Sequence, residues 1–379
     1  MFSRKKNEQI EVGPLEIVKC WGESACGLVQ LKHNYDLTKL YGDNYGYRSG
    51  LNKSMIDHLG QIAGKAMEIA KPKSGELVVD IASNDGTLLR SYPLNLKLLG
   101  IDPTAAKFGE YYPPHIKAVP EFFSAEALRK NGGQKAKMIT SIAMFYDLEQ
   151  PIEFMKQIKE SLLDDGVWMF EQSYMPTMID NVSYDTICHE HLEYYSLKQI
   201  WWMADKVGFK IIDVEFNDVN GGSFCVTVAK KESPYPEATE KINQVLKDEI
   251  DKGFDGSEVY EDFKKKVCAH REDLKQFISR VNKEGKKIIG YGASTKGNVI
   301  LQYCGITTAQ VPFIAEVNEY KFGRVTPGTN IPIISEQEAK AMKPDYMMVL
   351  PWHFRGKYYF AGAEICRNRW KTSFSVTKN

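Results

Sequence analysis

Leu77-Val78-Val79-Asp80-Ile81-Ala82-Ser83-Asn84-Asp85-Gly86-Thr87 decides the fold. A short apolar run that stops at a turn of small and acidic residues reads as a buried strand followed by a loop. Thr87 is expected to open a helix. Outward from this strand the pattern repeats: Leu98–Asp102, Met138–Ile142 and Val167–Glu171 read as further strands, with amphipathic segments between them. Alternation of this kind predicts a mostly parallel sheet with helices on both faces. Upstream, Met55, Ile56, Leu59, Ile62, Ala63 and Met67 recur at helical spacing and predict a helix from Leu51 to about Ala70. Downstream, residues 234–283 are highly charged and helical in period, and a second sheet-forming unit begins at Lys286-Lys-Ile-Ile-Gly-Tyr-Gly292. Its later strands are expected at Val311–Ala315 and Tyr346–Leu350.

At 379 residues the chain exceeds one ordinary core. Lys plus Arg equals Asp plus Glu, at 49 each, so nothing global favours nucleic acid or an anionic membrane as partner. No apolar run approaches the roughly 20 residues that span a bilayer. Seven scattered cysteines fit a reducing, cytoplasmic setting better than a disulfide framework.

Ligands of open α/β sheets collect at the carboxyl ends of the strands. There stand Asp80, Ala82, Asn84, Asp85 and Gly86, with Asp102 ending the second strand and Ser141 the third. The turn lacks Gly-x-Gly-x-x-Gly and so does not suit a dinucleotide. A carboxylate at Asp102 can accept from both hydroxyls of a ribose and repels a phosphate. The shape resembles the first motif of class I S-adenosylmethionine-dependent methyltransferases, although Ala82 stands where glycine is usual. An ordinary strand end, with Asp85 as a cap, is the alternative. Ser141, with Glu121 and Phe122, is expected to face the adenine.

Cys188-His189-Glu190-His191-Leu-Glu193-Tyr194-Tyr195 concentrates titrating groups that are costly to bury for structure alone. In an extended backbone His189 and His191 would share one face and Glu190 the other. Three readings stand: a metal pair, a hydrogen-bonded structural pair, or a general base with an orienting carboxylate. Tyr174, in Glu171-Gln-Ser-Tyr-Met-Pro176, points at the same sheet edge. A second glycine turn, Gly290-Tyr-Gly-Ala-Ser294-Thr-Lys296-Gly-Asn298, reads either as a phosphate cradle with Lys296 as its charge or as a packing turn. Arg324 and His353 are weaker candidates for the same pocket, and Trp352 reads as core.

The chain resembles one family along most of its length, the bacterial C-methyltransferases of nucleotide-linked keto-deoxysugars. The motifs are Cys26-Gly-Leu-Val-Gln-Leu31, Tyr45-Gly-Tyr47-Arg-Ser49, Asp80–Gly86, Met144-Phe-Tyr146-Asp147, Glu171–Pro176, the Cys-His-Glu-His cluster, Asn220-Gly-Gly-Ser223, Gly290–Gly297, Gly323–Gly328 and Leu350–Phe354. The resemblance implies a class I methyltransferase Rossmann-like domain, a second C-terminal Rossmann-like α/β domain and a short N-terminal module. Expected bounds are 1–50 for a strap, 51–233 for the methyltransferase domain, 234–283 for a helical connector and 284–379 for a domain touching the nucleotide-sugar. It also implies His191 as base, with Glu190 in support and His189 beside it, forming an enolate that attacks the methyl of S-adenosylmethionine. Tyr45, Tyr47 and Tyr146 would serve the sugar and its oxyanion, and the nucleotide would be thymidine diphosphate or another nucleoside diphosphate. Cys188 departs from the tyrosine of some relatives. Only Cys20 and Cys26 remain of a zinc module with two paired-cysteine knuckles, so no metal is expected. An O- or N-methyltransferase, or a binding protein with a degenerate cofactor site, are the competing readings.

Overall fold

The computed structural model describes residues 2, 10–36, 40, 45–351, 364–365 and 375–378, so Tyr41, Trp352 and His353 lie outside the described residues. The chain opens with two short strands, β1 (Ile17–Lys19) and β2 (Val29–Leu31). The helix Lys53–Ala70 follows, capped by the Asn52 side chain on the Ser54 amide. It buries Met55, Leu59, Ile62, Ala63 and Ala66, and each large apolar side chain so covered contributes about 1.5–3 kcal/mol.

Next come β3 (Leu77–Ile81), β4 (Lys97–Ile101), β5 (Ile116–Val119), β6 (Ala136–Ile142) and β7 (Leu162–Ser173). β8 (Glu193–Tyr194), β9 (Phe209–Asn217) and β10 (Ser223–Lys230) complete this part. Seven of these form one sheet in the order β5-β4-β3-β6-β7-β10-β9. Its first five strands are parallel, and β10 runs antiparallel to both β7 and β9. From β3 the chain winds first towards β5 and then back through β6, so the strand order reverses beside Asp80, where a ligand crevice opens.

The expected helix at Thr87 does not form. Turns lead into one 3-10 turn, Leu89–Ser91, because Pro93 and β4 follow too closely for a longer helix. Arg90 instead folds back and donates to the carbonyl oxygens of Asp85 and Tyr111.

Two helices, Thr239–Asp251 and Glu258–Lys283, lead to a second sheet. It contains β11 (Ile288–Tyr291), β12 (Ile314–Glu316), β13 (Ile333–Ser335), β14 (Tyr346–Val349), β15 (Glu364–Ile365) and β16 (Ser375–Lys378). Its order is β13-β12-β11-β14-β16-β15, parallel among β11 to β14. Two Rossmann-like α/β units therefore stand in one chain. β1, β2 and β8 make a third, antiparallel sheet, with Val29 opposite Tyr194 and Gln30 opposite Glu193. The N-terminal hairpin is thereby stitched to the segment that follows His191. One apolar cluster runs through Val29, Leu31, Leu192 and Tyr194 into Leu274, Ile300 and Leu350, joining hairpin, histidine segment and second unit.

Candidate active site

A cavity of about 350 Å³ opens at the carboxyl edge of β3, β4 and β6. Asp80, Ala82, Asn84 and Asp102 line it, whereas Asp85, Gly86 and Ser141 do not. Ala82 and Asn84 adopt φ of 55° and 52°, so the turn is left-handed at two non-glycine residues. Asp102 is what holds it: one carboxylate oxygen accepts the Asn84 amide at 2.8 Å and the other the Thr104 amide at 2.6 Å. Gly86 has φ of 72°, and a Cβ there would come within 3.0 Å of the Tyr112 ring. Tyr112 lies 2.8 Å from Ser83 Oγ and donates to the Asn84 carbonyl, a brace sequence reading missed. Ser141 is fully buried and accepts from the Trp168 indole at 2.9 Å, which turns it into the core rather than towards an adenine. Phe122 and Phe123 do line the cavity, and Glu121 does not.

Asp80 accepts from the Thr140 hydroxyl at 2.6 Å. Burial pushes its carboxyl up to about 7, against the Thr140 hydrogen bond and with help from the Asp102 charge. Five carboxyl groups (Asp80, Asp102, Asp147, Glu171 and Glu190) and one ammonium (Lys296) line the cavity among the described residues. That charge pattern favours a cation such as a sulfonium and opposes a phosphate.

Asp85 and Asn84 face outward to the segment before the first long helix. Asn84 accepts the Ser49 amide at 2.9 Å and donates to the Tyr47 carbonyl at 3.1 Å. Asp85, 1% exposed, accepts the Gly50 amide at 3.0 Å and both the amide and hydroxyl of Thr87. Its proposed part in holding the ligand thus becomes a part in holding the strap. Gly50 suits this contact, since a Cβ would stand 2.6 Å from the Asp85 oxygen. So fastened, Tyr45 and Tyr47 line the cavity.

At the histidine cluster the backbone turns, with the His191 amide on the Cys188 carbonyl at 3.2 Å. A turn breaks the alternation an extended chain would have, so the two histidines diverge. His189 points away from the cavity, its Nε2 donating to the Gly13 carbonyl at 3.0 Å and its ring edge-on to Tyr35. Glu190 and His191 line the cavity together, and the expectation that they face opposite ways is overturned. His191 Nδ1 lies 2.7 Å from the Thr186 carbonyl oxygen, which can only accept. Nδ1 therefore carries the proton and Nε2 the lone pair. Burial, then the Lys296 charge, lower the His191 pKa to about 3, so the ring is neutral.

The Tyr146 ring packs edge-on to His191, with centroids 4.4 Å apart. Burial holds the phenols of Tyr45 and Tyr146 well above their usual range, with Glu190 and Asp147 adding to it, so both remain donors. Burial also raises the Glu190 carboxyl. Among the described residues Cys188, Glu190 and His191 form one group with ligand atoms within 4.8 Å of each other. Burial, and after it Glu190, keeps the Cys188 thiol protonated, so the cluster is better suited to moving a proton than to holding a metal.

Lys296 reaches this cavity from the second unit, its ammonium donating to the Asn220 carbonyl at 2.9 Å. Burial lowers its pKa, and Asp185 and Cys188 oppose that. The rest of the expected phosphate cradle does not assemble around it. Ser294 caps its helix by accepting the Gly297 amide, and Asn298 is buried away from the cavity. Arg324 donates to the Tyr320 and Phe2 carbonyls. Tyr174 is withdrawn too, donating at 2.7 Å to Glu249, which also receives two helix N-terminal amides. Asn220, Asp147 and Glu171 line the cavity without having been singled out as site residues. Their only sequence signal was membership of the quoted motifs.

Residues 48–214 match the family described as methyltransferase domain, and residues 218–375 the C-methyltransferase C-terminal domain. The chain is 28% identical over 344 residues to C-methyltransferase NovU of Streptomyces niveus, covering 90% of this chain and 81% of NovU. Among solved structures it is similar to an S-adenosylmethionine-dependent methyltransferase of Clostridium acetobutylicum (12% identity, TM-score 0.38, 46% of this chain and 92% of that one). A second is the plantazolicin methyltransferase BpumL in complex with SAH (12% identity, TM-score 0.36, 45% and 82%). The fold itself rests on the strand order given above.

Proposed function

We propose, for a chain that is an S-adenosylmethionine-dependent C-methyltransferase, that the acceptor is a carbon next to the ketone of a nucleotide-linked keto-deoxysugar. The observation that carries this reading is the bare Nε2 of His191, set in one cavity with two protonated phenols, an ammonium and the cofactor turn. When bound at Asp80–Asn84, S-adenosylmethionine supplies an electrophilic methyl group.

His191 Nε2 removes the proton next to the ketone, and Tyr45, Tyr146 and Lys296 face the oxyanion that develops. Each preorganised donor of this kind is worth roughly 10²–10³ in rate. An imidazole with a pKa near 3 is a weak base at rest. Lys296 is one cause of that weakness, and an enolate oxygen beside Lys296 would neutralise it as the proton moves. Glu190 then faces the imidazolium. This reading gives Lys296 the ketone oxygen rather than a diphosphate, which the acidic lining of the cavity disfavours. The nucleotide diphosphate lies outside the acidic cavity.

The test is proton exchange without methyl transfer. In deuterated water with S-adenosylhomocysteine and a nucleotide-linked 4-keto-sugar, the wild type should exchange the proton next to the ketone. His191→Ala should abolish exchange and turnover while changing S-adenosylhomocysteine affinity less than about twofold, since the histidine's hydrogen bond goes to the Thr186 carbonyl and not to the cofactor turn. Exchange that survives in His191→Ala, or equal loss of both properties, would remove the base assignment.

A further inference from the structure

Glu171 is 3% exposed, sits at the end of β7 and lines the cavity, yet the proton chemistry above makes no use of it. β-pairing sets Asp80 beside Thr140 and Ile142 beside Glu171, and alternation puts all four side chains on one sheet face. The helix Lys53–Ala70 covers that face. His58 on this helix lies 2.7 Å from Glu171 Oε1, and Asn217 on β9 donates to Oε2 at 2.7 Å. A carboxylate accepts only, so both contacts are donors held against it. Each oxygen keeps a further lone pair.

Around it the cavity wall is apolar, formed by Met55, Leu59 and Ile142. A carboxylate fixed at both oxygens in such a bay is costly unless a cation meets it. His58 and Asn217 each take up one lone pair of Glu171, and the one ammonium on the cavity wall among the described residues is at the Asn220 carbonyl, so the lone pairs left over are free for a cationic N–H group brought by a ligand.

We propose that Glu171, oriented by His58 and Asn217, receives the α-ammonium of the cofactor's methionine. The cofactor carries two cationic centres. Its sulfonium has to stand near His191 for methyl transfer, and its adenosine belongs with Asp102, Phe122 and Phe123. The amino-acid end is left to pass over Asp80 into the bay beneath the first long helix. Glu171 is then a cofactor-binding residue and His58 a positioning residue.

Two ligands separate this role from any other: S-adenosylhomocysteine, and 5′-methylthioadenosine, which keeps the adenosine and thioether but has no amino acid. Glu171→Gln should weaken S-adenosylhomocysteine by about 10- to 100-fold, the range for losing a charged hydrogen bond. Binding of 5′-methylthioadenosine should stay unchanged. His58→Gln should give the same pattern at about three- to tenfold, and it carries the test should Glu171→Gln fail to fold. Equal weakening of both ligands would reduce Glu171 to a structural role. Tighter S-adenosylhomocysteine binding would place the cofactor's carboxylate there instead, and unchanged affinity with a raised sugar KM would make it a substrate residue. Each of these three overturns the proposal.

Discussion

Asp80 shows how a single residue couples the fold to its ligand. Its carboxyl ends a strand that is buried on both faces, and burial moves its pKa from 3.8 to about 7. A raised carboxyl binds its proton more tightly in the folded chain than in the unfolded one. Folding stability is therefore fully present below the unfolded pKa and is lost as pH rises from about 4 to about 7. Asn has the same shape and can still accept from Thr140, but has no charge to bury. Asp80→Asn should accordingly match the wild type in melting temperature near pH 4. It should exceed it by several degrees at pH 8, measured without cofactor, each kcal/mol being worth about 2–4 °C at this size. A gap that is constant across this range would show that Asp80 is not desolvated. With cofactor the order should reverse, because a cationic ligand favours the ionised carboxyl.

Elements fix what residues of this kind can reach. The strap around Tyr45–Gly50 has no regular structure of its own beyond one 3-10 turn, and it is positioned by Asn84 and Asp85. Removing the Asp85 carboxylate orphans the Gly50 and Thr87 amides and loosens Tyr45 and Tyr47 over the cavity. Asp85→Ala should raise the sugar KM and lower kcat by about tenfold each, from losing the charge-assisted hydrogen bonds that hold the strap and Thr87. The dissociation constant of S-adenosylhomocysteine should move less than about threefold, since Asp85 does not line the cavity. Weakened cofactor with an unchanged sugar KM would return Asp85 to the cofactor.

The same scale explains what could be read from the sequence. The strands of both sheets are apolar runs ended by turn residues, so β3, β4, β6, β7, β11 and β14 were legible within a few residues. The hairpin of β1 and β2 was not, because its partner β8 is two residues long and the pairing is remote in sequence. The divergence of His189 from His191 was hidden for a related reason: spacing alone assumes an extended chain, and the Cys188–His191 turn is set by Thr186 and the N-terminal segment. Ser141 and Tyr174 were misread because their strand positions were right and their partners, Trp168 and Glu249, lie 27 and 75 residues away.

At the scale of the molecule the cavity is a joint construction: the seven-stranded sheet forms its floor, the strap brings tyrosines, and the second unit contributes Lys296. The second unit also packs on the histidine segment, with Tyr184 between His270 Nδ1 at 3.1 Å and Cys304 Sγ at 3.5 Å. Among the described residues, Lys296 is thus the charged group by which the second unit acts directly on the base. Its ammonium lowers the His191 pKa, so removing it should let that pKa rise towards 6.5. Lys296→Met should cut kcat by roughly 10²–10³, the loss of one oxyanion donor. It should also shift the acid limb of kcat/KM to higher pH and leave S-adenosylhomocysteine binding intact. Lys296→Arg keeps the charge and should keep the acid limb low even where its bulk slows turnover. If the methionine variant lost cofactor affinity in step with activity, Lys296 would be a brace between the two units. If the acid limb stayed in place, the charge would not reach His191, and the oxyanion would have to be carried by Tyr45 and Tyr146 alone.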